Sequence, residues 1–188
     1  MNDVENIPKQ SFAKLLSTGQ LNELRLGMTF REVIDYLGYP DHATDEAKLQ
    51  EQIALQKRNF RGIGDNYGCM EVLFNKETER LNVIQFEFWK PLKLPQNLDS
   101  TWLSFAAQIT LTEFAQFVLD HSLVVYEQNY SITELTSLWI PSSRVRVNVE
   151  ELEPNSDRKI SVISVANNSS IDVQKRRSEP PNKRFPSL

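Results

Sequence analysis

The chain has one cysteine and two histidines in 188 residues, and no apolar run near the roughly 18 residues that a membrane-spanning helix needs. With Cys69 alone, an internal disulfide framework and an all-cysteine zinc site are both excluded, and a reducing compartment is the simplest fit. With only His42 and His121, the common histidine-based routes of acid–base and nucleophilic catalysis have little to draw on. The opening MNDVENIPKQSF is polar and acidic, the reverse of a secretory leader, so a cytoplasmic chain is expected. The glycines are few and none forms GxxxxGK[ST]. The stretch Arg61–Gly68 therefore reads as a glycine-rich loop and turn, not a phosphate cradle.

Acidic residues outnumber basic ones outside the C-terminal stretch. The net charge is -4, but residues 172–188 hold Lys175, Arg176, Arg177, Lys183 and Arg184 against Asp172 and Glu179, a net of +3. Removing that +3 leaves -7 on residues 1–171. Affinity for nucleic acid depends largely on phosphate neutralisation by Lys and Arg, so an acidic body points away from nucleic acid and towards a basic protein partner.

What is present is a fold-forming pattern: 40% hydrophobic and 10% aromatic residues, enough for a core. Residues 1–10 read as a flexible arm. A short helix follows around Phe12, Leu15 and Leu16, broken at Gly19. Thr29-Phe30-Arg31-Glu32 has capping-box spacing, and Phe30, Val33, Ile34 and Leu37 give the helix after it an apolar stripe that ends at Gly38 and Pro40. Residues 45–58 are rich in helix formers. Residues 69–75 and 81–89 alternate apolar and polar side chains around a polar turn and predict paired strands. Residues 90–95, with two prolines, read as a connector.

A second capping box, Thr110-Leu111-Thr112-Glu113, opens a helix carrying Phe114, Phe117 and Val118. Strands are then expected over LTSLWI, SSRVRVNVE and KISVISVA, with Val145, Val147 and Val149 alternating against Arg144, Arg146 and Asn148. Placing Thr29 on Thr110 also places Glu32 on Glu113, Val33 on Phe114 and Tyr36 on Phe117. The expectation is an α+β fold of two tandem helix-plus-antiparallel-hairpin units, residues 11–95 and 96–166, forming a small sheet packed by helices. Residues 167–188 are polar and aperiodic and predict a disordered basic tail.

The run Leu24-Arg25-Leu26-Gly27-Met28-Thr29, with Glu32, Val33, Leu37, Gly38, Pro40 and Asp41, resembles the opening LxLGMxxxEVxxLLGxPD of a family of uncharacterised bacterial proteins. Tyr67-Gly68 ahead of a strand fits the same family, and the resemblance covers roughly residues 24–166. The pattern is also similar to small outer-membrane-assembly lipoproteins of the SmpA/OmlA type and, more loosely, to tandem-repeat β-lactamase-inhibitor-like domains. These likenesses imply helices packed on an antiparallel sheet, and binding instead of catalysis.

His42, after the helix-ending Gly-x-Pro, and His121, at a helix end, read as structural or surface residues, and Cys69 as core. The acidic run Glu150-Glu151-Leu152-Glu153 lacks calcium-loop spacing and reads as a solvated hairpin tip, so no metal or cofactor is expected. Lys175-Arg176-Arg177 is a short basic run of low information. Candidate binding residues are Glu71, Glu87, Trp89, Trp139, Glu150, Glu151 and Glu153, acidic and aromatic groups on or near strands. The functional expectation is a non-enzymatic, immunity-like inhibitor of a toxin or enzyme. The alternative is an assembly adaptor that takes a partner segment at a sheet edge. A catalytic reading would require carboxylates such as Glu71, Glu87 or Asp65 to converge in one deep pocket with raised pKa values.

Overall fold

A computed structural model describes residues 6–59, 62–129, 136–150, 157–167 and 183–185. Its elements are α1 (Ile7–Thr18), α2 (Phe30–Leu37), α3 (Glu46–Asn59), β1 (Gly62–Tyr67), β2 (Met70–Asn75), β3 (Leu81–Glu87), α4 (Leu103–Ala106) and α5 (Leu111–Asp120). They continue as β4 (Val125–Asn129), β5 (Thr136–Ile140), β6 (Val145–Glu150), β7 (Lys159–Ala166) and β8 (Lys183–Phe185). The described strands form one antiparallel sheet in the order β1-β2-β3-β7-β6-β5-β4-β8. Two meanders, β1-β2-β3 and β4-β5-β6-β7, therefore meet through their last strands.

Period-two alternation divides the sheet into two faces. Val72, Ile84, Val165, Val145 and Ile140 lie side by side across five strands, all buried on the face that the helices cover. The apolar residues of α1, α2, α3, α4 and α5 join them in a single core. Phe12 of α1 meets Trp102, Phe105, Phe114 and Phe117, with ring centroids 5.3–6.3 Å apart. Although α1 comes first in the chain, it thus packs with α4 and α5, while α3 lies against β1.

Both capping boxes form. Thr29 Oγ1 accepts from the Glu32 amide at 3.3 Å and the Thr29 amide donates to Glu32 Oε2 at 2.6 Å; the Thr110–Glu113 pair repeats this at 3.2 and 2.9 Å. Each cap also touches the sheet at an equivalent place. Thr29 bridges Arg80, just before β3, and Thr110 bridges Lys159, the first residue of β7.

Four expectations change. The stretch read as a glycine-rich loop is mostly β1: Ile63, Asp65 and Tyr67 point into the core, an alternation disguised by glycines on the other face and a carboxylate on the inner one. A Cβ at Gly64 would come 2.8 Å from Leu73 Cδ2 of β2, the tip of a side chain that would have to turn aside. The turn lies one step later, at Gly68, whose φ of +64° and closeness to the Lys93 carbonyl exclude a side chain. The expected arm of residues 1–10 is helical from Ile7, since Pro8 sits in the first turn, where it removes no helix bond. Within the expected tail, Lys183–Phe185 is a strand paired with β4, itself unanticipated. The sheet is also larger than the small one expected, running through eight strands without a break at residues 95–96.

Candidate functional site

On the face opposite the helices, the strand registers bring one residue from each strand into a transverse row. Asn66 neighbours Glu71, Glu71 neighbours Gln85, and Gln85 neighbours Ser164 across the β3–β7 junction. Ser164 neighbours Arg146, Arg146 neighbours Trp139, Trp139 neighbours Tyr126, and Tyr126 neighbours Arg184 on β8. Directly opposed side chains in such a sheet stand about 5 Å apart, close enough to act as one surface. Glu71, Gln85, Ser164, Arg146, Trp139 and Tyr126 are all half-buried.

The β2–β3 end of this surface is acidic. Glu87 forms an ion pair with Lys90, accepts from Gln85 Nε2 at 3.0 Å, and lies close enough to Glu71 to repel its charge. Lys90 also donates to Asn66 Oδ1 at 3.1 Å. Burial first, then Glu87, pushes the Glu71 carboxyl above its ordinary range, with Lys90 opposing. One ammonium thus serves two carboxylates. Towards β5 and β4 the surface becomes polar and aromatic: Ser137 Oγ donates to Asn148 Oδ1 at 3.0 Å beside Trp139.

Of the expected binding residues, Glu71, Glu87 and Trp139 share this face, and Glu150 joins it at the end of β6 by alternation with Arg146 and Asn148. Trp89 lies just past β3 with 62% of its surface exposed. Glu151 and Glu153 fall outside the described residues. Gln85, Ser164 and Tyr126 were not anticipated as part of the surface. Arg146 had been legible as a wet-face residue from the valine alternation of β6.

Asp65 does not join Glu71 and Glu87: it sits on the other side of the sheet, fully buried between Ile63 and Tyr67. The His42 Nε2 lies 3.1 Å from Asp65 Oδ1, and among the described residues neither carboxylate oxygen receives a hydrogen bond. Burial raises this carboxyl to about 6, against the opposing pull of His42. Around it, the residues after α2 clamp the end of β1. Tyr67 Oη donates to the Gly38 carbonyl at 3.1 Å, the Asp41 amide to the Asn66 carbonyl at 2.8 Å, and the Gly68 amide to Asp41 Oδ2 at 2.6 Å. The Gly-x-Pro-Asp and Tyr-Gly pieces of the sequence motif therefore meet in space.

His121 caps α5, its Nδ1 2.9 Å from the Phe117 carbonyl and its ring stacked on Phe117. Cys69 is fully buried, and burial raises its thiol, so it is a core residue and not an exposed thiolate. A cleft of about 630 Å³ is lined by residues such as Arg25, Glu32 and Tyr36 and includes none of the carboxylates considered for catalysis. Among the described residues no group of three or more His, Cys, Asp or Glu could hold a metal ion, and no helix is long and apolar enough to cross a membrane. Compared with protein-family models, curated proteins and solved structures, the chain gave no match in any of the three.

Proposed function

We propose that this chain is a non-catalytic protein-binding module of the cytoplasm that offers the helix-free face of its sheet to a basic partner, in the manner of an immunity-like inhibitor. The observation that carries the reading is the half-buried row from Glu71 to Tyr126, with two carboxylates sharing one lysine at one end and Trp139 near the other. Such a surface joins a cation-seeking patch to an aromatic anchor, the residue types that dominate binding energy at protein interfaces. The acidic body and the separation of Asp65 from Glu71 and Glu87 by the sheet favour this over a carboxylate-based enzyme. A tandem origin for the two halves is supported by the equivalent attachment of the two capped helices, at Arg80 and Lys159.

The test is capture from the source-cell lysate with tagged wild-type chain, Glu71→Lys and Trp139→Ala, followed by salt-graded elution and mass spectrometry. One stoichiometric basic protein, released by salt from wild type and absent from Glu71→Lys, is the expected result. Equal retention by all three chains would reject the face, and no partner at any salt would reject the module. A second reading, an adaptor that accepts a partner segment at a sheet edge, is favoured by one observation: the β4 edge already holds a strand from the far end of the chain.

A further inference from the structure

Residues 38–43 follow α2 and lie over β1. Gly38, Tyr39, Asp41 and His42 are exposed, and only Pro40 and Ala43 are buried. Three hydrogen bonds tie the segment down: from Tyr67 Oη to the Gly38 carbonyl, from the Asp41 amide to the Asn66 carbonyl, and from the Gly68 amide to Asp41 Oδ2. The Asn66 carbonyl lies on the outer edge of β1, the side on which Gln56 of α3 engages the Gly64 amide at 2.5 Å and the Gly64 carbonyl at 2.8 Å. An edge whose backbone groups are occupied in this way cannot recruit a foreign strand.

The fourth contact of the segment is of another kind. Asp65 is fully buried, neither of its oxygens receives a hydrogen bond among the described residues, and the His42 Nε2 stands 3.1 Å from Oδ1. A neutral carboxylic acid tolerates such a place, whereas an ionised one calls for donors or water. Displacing β1 to admit water would break its ladder with β2 from Gly62 to Tyr67. Lifting residues 38–43 breaks three hydrogen bonds and uncovers two buried side chains, so local opening follows this less costly route.

We propose that residues 38–43 form a proton-operated lid over Asp65, which stays down while the carboxyl holds its proton and opens more often once the proton leaves, uncovering Asp65 and the edge of β1 at Asn66. His42 is the charge that bears on Asp65 from the lid, and it opposes burial, which lifts the carboxyl to about 6. Asp41, the other carboxylate of the lid, accepts from the Gly68 amide, so its own protonation in acid loosens the lid and acts with the opposite sign. Tyr67 keeps its proton throughout, its hydroxyl pushed up by burial and then by Asp65 and Asp41. From α3, the side chain that engages β1 is the uncharged Gln56. Uncovered, the Asp65 carboxyl returns towards its ordinary 3.8. The covered form thus holds the proton more tightly, and opening becomes easier as pH rises from about 4 to about 6 and levels off above.

The experiment is native-state hydrogen exchange by NMR on the full chain as wild type, Asp65→Asn and Asp41→Asn, from pH 4 to pH 7, with each rate corrected for its intrinsic pH dependence. The Asp41 and Gly68 amides report the lid, because each bonds across it. In wild type both are expected to open roughly 100-fold more often at pH 7 than at pH 4. Asp65→Asn is expected to show no such rise, and Asp41→Asn to keep it. Far-UV circular dichroism checks that both variants fold. Opening that is independent of pH in wild type, or a rise that persists in Asp65→Asn, would overturn the inference. A rise that vanishes in Asp41→Asn would give the proton to Asp41 and overturn it as well. Asp41 and Gly68 amides as strongly protected as those of β2 would show that they open only with the whole sheet, and there would be no lid.

Discussion

The most costly residue in the core is Asp65, a carboxylate buried on a strand face otherwise built from Ile63, Tyr67 and Val72. Its pKa rises from the usual 3.8 to about 6, burial outweighing the attraction of His42. The folded state therefore keeps the proton to a higher pH than the unfolded chain does. The penalty is absent below about pH 3.8, grows as pH rises, and is fully present above pH 6, where it amounts to about 3 kcal/mol. Asp65→Asn removes the charge at nearly constant shape. Urea unfolding at pH 8 is expected to show the variant more stable by about 2 kcal/mol, since its own buried amide also lacks partners, with the difference shrinking towards pH 4. A variant less stable at pH 8 would mean that ionised Asp65 is held by a donor beyond His42. The sequence offered Asp65 only as a carboxylate for a catalytic reading and His42 as a structural or surface residue; it did not pair them, because Asp65 stands in a glycine-flanked stretch and His42 lies on a separate loop.

At the scale of elements, local chemistry was legible and pairing was not. Thr29-x-x-Glu32 and Thr110-x-x-Glu113 mark helix starts because the hydroxyl and carboxylate act on amides three residues away, and both boxes form as read. Thr110→Ala is expected to lower stability by about 1 kcal/mol, and Thr29→Ala by a similar amount, in denaturant titrations at neutral pH. The strands β2, β3, β5, β6 and β7 were legible because alternating valine, isoleucine and phenylalanine meet a core on one side only. The strand β1 was not, since glycine and aspartate fill positions where apolar residues would mark alternation. Its edge depends on Gln56, which ordinary helix propensity gives no reason to single out. Replacing Gln56 with alanine exposes the Gly64 backbone. The expected outcome is a stability loss of about 1 kcal/mol and concentration-dependent light scattering that wild type lacks.

Across the whole molecule, the described helices lie on one face of the sheet and the other is read as the surface the chain presents, a face that exists only because two distant meanders join at β3 and β7. Glu71 and Gln85 belong to one meander, Ser164, Arg146, Trp139 and Tyr126 to the other, so strand order could not place them together before the pairing was known. Glu71 and Glu87 were singled out for acidity, and the fold adds that they share Lys90. The electrostatics then set the direction of pH dependence. Because burial and Glu87 hold the Glu71 pKa above its usual 4.5, Glu71 takes up a proton at a higher pH than an exposed glutamate, and its pull on a basic partner weakens from that point downward. Isothermal titration with the partner recovered by salt elution is expected to show affinity falling as the pH is lowered from 8, with the fall setting in at a higher pH than an ordinary glutamate would give. With Glu71→Gln the affinity at pH 8 is lower and the slope is shallower. An unchanged slope in Glu71→Gln would place the partner's cation elsewhere, and affinity that rises on acidification would exclude an acidic contact surface altogether.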